Sequence, residues 1–194
     1  MNKRCLALTN EQYIEAINLL RDGFELDGVH IRANDRIATI LVLEATLGLR
    51  LGDVLSLKLN SFIKDGNRWR LDIEEDKTEK KRRFTVPLEV YSFIQSYALS
   101  RGIGSEAKLF DISDRQIQRM LTKVFEKMEL PVKRYGSHSF RKLFATRVYM
   151  ENDYNIKLVQ TLLQHASPVT TQCYIGISEQ MVENALAKTV NHLI

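Results

Sequence analysis

Apolar residues recur at helical spacing through most of this chain and alternate in one region only. After a loose lead-in over residues 1–8, the segment TNEQYIEAINLLRDGF opens with residues that favour a helix N-terminus. We expect this first helix to end at Gly23. The next run, RIATILVLEATL, is expected to begin at Asn34 or Asp35 and to end before Gly48, a residue suited to a left-handed C-terminal position.

The alternating region lies at residues 60–86. Asp65-Gly66 is a hairpin turn signal, and the residues that follow it, RWRLDI, alternate between polar and apolar. A charged stretch, EEDKTEKKRR, then leads into a third short strand-like segment, RFTVP. The region is therefore predicted to form a small three-stranded antiparallel sheet.

Helical spacing returns after this sheet and continues to the end of the chain. Ser113 with Gln116 three residues later is a capping box, and Ser167-Pro168 is a second helix start. The expected helices are 87–99, 113–130, 138–151, 156–164, a short one between Ser167 and Gly176, and a last one from Ser178. The fold class is therefore mainly α with one small three-stranded antiparallel sheet, an α+β fold, and residues 1–194 are expected to form a single domain.

Composition narrows the class of protein without identifying it. The formal net charge is +4, and two basic clusters stand out at 77–83 and 132–150. The second cluster contains no Asp or Glu, which is typical of a surface that binds an anion such as a nucleic-acid backbone. Cys5 and Cys173 form neither a disulfide framework nor a metal-binding pair, which favours a reducing cytoplasm. No stretch has the length of a membrane span or the form of a signal peptide.

The segment 138–174 carries the residues best suited to chemistry. His138 and Arg141 are three positions apart, so a helix places them on one face. His165 closes the next apolar run, and Tyr174 follows it nine residues later. Two imidazoles, a guanidinium and a phenol on one segment are suited to hold a phosphate beside a nucleophile.

Four segments resemble the sequence boxes of the tyrosine recombinases, the phage integrase family. TLGLRLGDVLSLKL resembles the first arginine box, with Arg50 and, three positions on, the acidic residue Asp53. DKTEKKRRFTVPL resembles the hairpin that carries the family's lysine, here Lys77. Asp53 is interpreted as structural, a residue that orients Arg50 or caps the short helix after it.

The other two boxes lie in the segment 138–174. HSFRKLFAT resembles the His-x-x-Arg box, and LLQHASPVTTQCYI resembles the final box with its histidine and nucleophilic tyrosine. The resemblance covers roughly residues 9–192, essentially the family's catalytic domain, without the helical core-binding domain that commonly precedes it. The catalytic residues that the resemblance implies are Arg50, Lys77, His138, Arg141, His165 and Tyr174.

The resemblance implies a site-specific DNA recombinase or integrase that cleaves and rejoins double-stranded DNA through a covalent 3′-phosphotyrosine. Two guanidinium forks, Arg50 and Arg141, match the non-bridging oxygens of a phosphodiester. His138 donates a hydrogen bond or accepts the tyrosine proton, and Lys77 is the expected general acid. Because the broken bond's energy is stored in the adduct, neither cofactor nor metal is implied. The implied assembly is a homo-oligomer, a tetramer, on DNA, with work in integration, excision or dimer resolution.

Plainer interpretations stay open beside this one. The lysine role could fall to Lys80 or Lys81 instead of Lys77, since loop lysines are usually solvated. Four basic residues are either phosphate contacts or ordinary surface: Arg82, Arg83, Lys133 and Arg134. For the whole chain, the alternatives are a non-catalytic DNA-binding module of the same fold and a type IB topoisomerase-like enzyme.

Overall fold

The computed structural model describes residues 5–74, 81–164, 171 and 175. The helices of this part are α1 (Asn10–Asp22), α2 (Asp35–Leu47), α3 (Leu51–Ser56), α4 (Leu88–Ser100), α5 (Asp114–Lys127), α6 (Ser137–Glu151) and α7 (Ile156–Leu163). The strands are β1 (Phe24–Leu26), β2 (Val29–Ile31), β3 (Phe62–Asp65), β4 (Arg68–Glu74) and β5 (Lys81–Val86). The predicted class, mainly helical with a small antiparallel sheet, is confirmed.

Side-chain caps begin the helices where the sequence placed them. Thr9 and Ser113 each form a complete capping box with the glutamine three residues later. Asn34 and Asn155 accept hydrogen bonds from the third residue of α2 and α7, at 3.1 and 3.0 Å. These helix starts depend on local chemistry, and the sequence therefore located them to within a residue.

The central helix is α2, and nearly all of its sides are covered. It packs against α6 on one side and α1 on another, while α7 packs on α6. Its apolar side chains, together with those of α1, α4 and α5, form one continuous core. The turn that follows α2 therefore lies deep in the domain, where neighbouring elements can reach it.

The three-stranded sheet has the order β3-β4-β5 and is antiparallel throughout. β3 and β4 join through the predicted Asp65-Gly66 turn, and β4 pairs with β5 so that Ile73 lies opposite Arg82 and Asp72 opposite Arg83. Successive residues on β5 therefore point to opposite faces, one buried and one exposed.

Three features differ from the expectations. A two-stranded hairpin, β1–β2, turns at Asp27-Gly28 with φ of 47° and 74°, a turn signal like the one used for β3–β4. Helix α5 ends at Lys127, three residues before Leu130, because Glu129 takes a left-handed φ of 55°. The short helix after Ser167 and the last helix lie outside the described residues.

Residues 5–8 are bound to the domain, so the expectation of a loose lead-in is wrong for them. Leu8 is buried in the core, and the Leu6 amide donates to the Arg134 carbonyl at 2.8 Å. The Lys142 ammonium donates to the Cys5 carbonyl at 2.6 Å. This segment thus lies along the start of α6. Within the described residues, no helix is long and apolar enough to cross a bilayer.

Candidate active site

The turn between α2 and α3 positions Arg50. Gly48 ends α2 in the left-handed conformation, with φ 58° and ψ 30°, and a Cβ there would overlap the Phe144 ring of α6. Only glycine satisfies both conditions, since it has no Cβ and adopts positive φ freely. Two residues on, Arg50 occupies the N-cap position of α3.

Asp53 fixes Arg50 in the way the sequence indicated. Its buried carboxylate accepts the Arg50 backbone N–H at 3.3 Å and lies 3.9 Å from the Arg50 guanidinium. The Arg50 side chain keeps 21% of its surface exposed, whereas that of Asp53 keeps 1%. One carboxylate therefore caps α3 and orients the arginine, so both structural roles considered for Asp53 are present together.

Helix α6 carries the other described members of the predicted site. His138 is half-buried in its first turn, and Arg141, one turn later, is completely buried. The Arg141 guanidinium donates through Nη1 to the Gly48 carbonyl and through Nη2 to the Leu163 carbonyl at 3.1 Å. These carbonyls lie at the C-terminal ends of α2 and α7, where helices leave acceptors without intrahelical partners.

Arg141 therefore joins three parts of the predicted site. It binds the turn two residues before Arg50, and it binds α7 two residues before His165. The structure thus brings the first arginine box and the His-x-x-Arg box together. Lys77, His165 and Tyr174 lie outside the described residues, and their assignments stay predictions.

Arg82 is a buried member of this region that the sequence did not single out. Its side chain is 1% exposed, and its Nη2 donates to the carbonyls of Leu47, Gly48 and Leu162 at 3.0, 3.2 and 2.8 Å. It is therefore neither a solvated surface residue nor positioned on the surface for a DNA phosphate. Arg83, the next residue, is exposed and pairs with Asp72 at 2.9 Å.

Glu44 is a second buried group that the sequence reading passed over. It lies on α2 with none of its surface exposed, and neither carboxyl oxygen has a hydrogen-bond partner. Burial raises the pKa of Glu44 well above 4.5, and the charge of Arg141 opposes this shift only in part. The available signal was a lone charge inside an otherwise apolar run, ILVLEATLGL.

The described residues contain no group of His, Cys, Asp and Glu side chains arranged to hold a metal ion. What they do contain is a set of fixed cations around one glycine turn. Arg50, Arg82 and Arg141 are each tied to this turn or to the helix that follows it. Such fixed guanidinium groups are suited to bind an anion bidentately.

The family follows from comparison with known proteins. The model of the Phage integrase family matches residues 8–181, which include all of the sequence boxes described above. The chain therefore belongs to the phage integrase family.

Several curated relatives carry recombinase names. The chain is 28% identical to tyrosine recombinase XerA of Thermococcus kodakarensis and 25% identical to tyrosine recombinase XerC of Caldanaerobacter subterraneus, over 81% and 79% of its length. These matches span 56% and 45% of those two proteins, so the chain spans about half of their length. It is also 25% identical to the probable integrase/recombinase YoeC of Bacillus subtilis, over 89% of this chain and 94% of that one.

Solved structures share the fold. The XerH site-specific recombinase bound to palindromic difH substrate superposes with a TM-score of 0.73 at 21% identity, over 93% of this chain and 52% of that one. The lambda integrase dimer bound to a COC′ core site gives a TM-score of 0.66 at 20% identity, over 89% and 48% of the two chains. The predicted family and fold are confirmed.

Proposed function

We propose that this chain is the catalytic domain of a tyrosine-type site-specific recombinase that cleaves and rejoins double-stranded DNA. The observation that carries the proposal is the fixing of Arg141 against the turn before Arg50. Two arginines of the predicted phosphate clamp, 91 positions apart in sequence (141 − 50), thereby share one structural support. The names of the relatives support the same reaction.

In the proposed reaction the Tyr174 hydroxyl oxygen attacks the phosphorus of the scissile phosphodiester, and the bond to the 5′ oxygen breaks. His138 accepts the tyrosine proton, and Lys77 gives a proton to the departing 5′ oxygen. Arg50, Arg141 and His165 stabilise the charge that builds on the non-bridging oxygens. A 5′-hydroxyl from a second strand reverses the attack, so the bond energy is retained and no nucleotide is consumed.

The burial of Arg141 adds a condition to this reaction. Its side chain has no exposed surface, and two of its nitrogens are held by backbone carbonyls. A DNA phosphate can contact it only after part of the surrounding chain moves. Productive binding is therefore proposed to include a rearrangement that uncovers Arg141, while the carbonyl contacts keep its fork in place.

The decisive experiment is covalent trapping. Sequences bound by the protein are first selected from a random double-stranded DNA library, and the selected sites are then built as nicked suicide substrates, incubated with excess chelator. Wild type is expected to form a covalent protein–DNA adduct, and Tyr174→Phe is expected to form none. Wild type without adduct on the selected sites, or an adduct with Tyr174→Phe, contradicts the proposal.

Arg141→Ala separates catalysis from binding. We expect it to lose adduct formation by roughly 10²–10³-fold, the usual effect of removing one oxyanion donor, with DNA binding only partly weakened. Equal losses of binding and cleavage would favour a non-catalytic DNA-binding module. We further propose that subunits assemble as a tetramer on paired DNA sites, which sedimentation of the trapped complex measures.

A further inference from the structure

We propose that Arg82 is a positioning residue of the candidate site, acting through Arg141. This inference rests on the proposed function, because it assigns Arg82 a part in DNA cleavage. Its basis is a shared acceptor, since the guanidinium groups of Arg82 and Arg141 both donate to the Gly48 carbonyl. No contact of Arg82 with DNA is involved, because its side chain is 1% exposed.

The two arginines divide one set of buried carbonyls between them. At the end of α2, Arg82 binds the Leu47 and Gly48 carbonyls; at the end of α7 it binds the Leu162 carbonyl. Arg141 binds Gly48 and the adjacent Leu163. A carbonyl oxygen has two lone pairs, so Gly48 can accept from both cations. The negative ends of two helices thereby compensate two buried positive charges that would otherwise repel each other.

The backbone of β5 reinforces this arrangement. The side-chain amide of Gln164 donates to the Lys81 carbonyl at 3.2 Å, which ties the residue after α7 to the start of the strand. The Arg82 guanidinium also lies over the Phe84 ring, 5.1 Å from its centroid, on the same face of β5. Arg82 is therefore held from its own strand while its head group reaches both helix ends.

Removing Arg82 frees acceptors that Arg141 is in position to take. Without Arg82, the Leu47 carbonyl in the buried turn loses its guanidinium donor, and an unpaired buried carbonyl is costly. Arg141 already shares the Gly48 carbonyl, and rotation of its guanidinium toward the vacant oxygens would satisfy them. That rotation turns its fork away from the orientation in which it binds a phosphate. Arg82 thus keeps Arg141 available for the substrate.

The test compares cleavage of two DNA substrates that differ only at the scissile position. One carries the normal phosphate, and the other a methylphosphonate, in which a methyl group replaces one non-bridging oxygen and removes the negative charge. A defect that acts through an arginine's hold on that charge shrinks on the neutral substrate. A general folding defect lowers both rates by the same factor.

With saturating protein, Arg82→Met is expected to slow adduct formation on the phosphate by on the order of 10²-fold, the usual cost of a misplaced catalytic group. On the methylphosphonate the same variant should lie within about threefold of wild type, since the interaction it disturbs is no longer made. DNA affinity should stay near the wild-type value, because Arg82 is buried. Arg82→Lys keeps the charge and some donors, so we expect a smaller defect with the same pattern.

Arg83→Met is the matched control, because Arg83 is the next residue of β5 and its exposed side chain pairs with Asp72. It should cleave both substrates as wild type does. The proposal is overturned if the Arg82 variants cleave the phosphate at the wild-type rate, or if their defect is equal on both substrates. Should Arg82→Met fail to fold, the substrate comparison with Arg82→Lys decides. Absence of any wild-type adduct would instead contradict the proposed function itself.

Discussion

Replacing Glu44 by methionine should stabilise the protein. Glu44 has no exposed surface, and neither of its carboxyl oxygens has a hydrogen-bond partner. A buried polar group without a partner costs about 1–3 kcal/mol, and methionine fills a similar volume without that cost. For a protein of this size, each kcal/mol raises the melting temperature by about 2–4 °C. We therefore expect Glu44→Met to melt about 2–10 °C above wild type at neutral pH.

The gain should depend on pH in a direction set by the pKa of Glu44. Burial raises this pKa well above the ordinary value of 4.5 in the folded state. The folded protein then holds a proton that the unfolded chain releases, so wild type loses stability as pH rises above about 4.5 and stops losing it beyond the folded-state pKa. The difference between Glu44→Met and wild type should therefore be smallest near pH 4.5 and widen upward before levelling.

Thermal unfolding followed by circular dichroism across this pH range measures both effects. Other titrating groups act equally in the two proteins, so their contributions cancel in the difference. Glu44→Gln is the matched control: it removes the titration but keeps a buried polar group, so its melting temperature should exceed that of wild type by less. If Glu44→Met is less stable than wild type, Glu44 is an ion-pair partner of Arg141 whose attraction exceeds its burial cost, and the reasoning fails.

Two further substitutions test the turn that supports the site. Gly48→Ala forces a Cβ into a left-handed residue and onto the Phe144 ring, so it should destabilise by about 2–4 kcal/mol, whereas Gly66→Ala, with φ of 60° and open space around it, should cost only about 1 kcal/mol in chemical denaturation; equal losses would show that Phe144 moves aside freely. Asp53→Ala should lower stability by about 0.5–2 kcal/mol through the lost cap and slow suicide-substrate cleavage, whereas Asp53→Asn, which can still accept the Arg50 N–H, should keep most of the stability; unchanged cleavage by Asp53→Ala would mean that Asp53 does not orient Arg50.

The sequence by itself determined the local features of this protein. Capping side chains such as Thr9 and Ser113 mark helix starts because each acts on amides only two or three residues away. The relation between Arg50 and Asp53 is equally local, since the two are three residues apart at one helix start. The order of the sequence boxes, with the hairpin between them, also sufficed to indicate the family that comparison confirmed.

Only the tertiary structure decided what surrounds the arginines. Arg82 and Arg83 are alike in sequence, and alternation along a strand shows that they face opposite ways without showing which face is buried. That choice is made by the ends of α2 and α7, whose carbonyls lie 35 and 80 residues from Arg82. Likewise the acceptors of Arg141 are 93 and 22 residues away. No spacing rule spans such separations, because backbone carbonyls are present at every residue and only packing brings particular ones together.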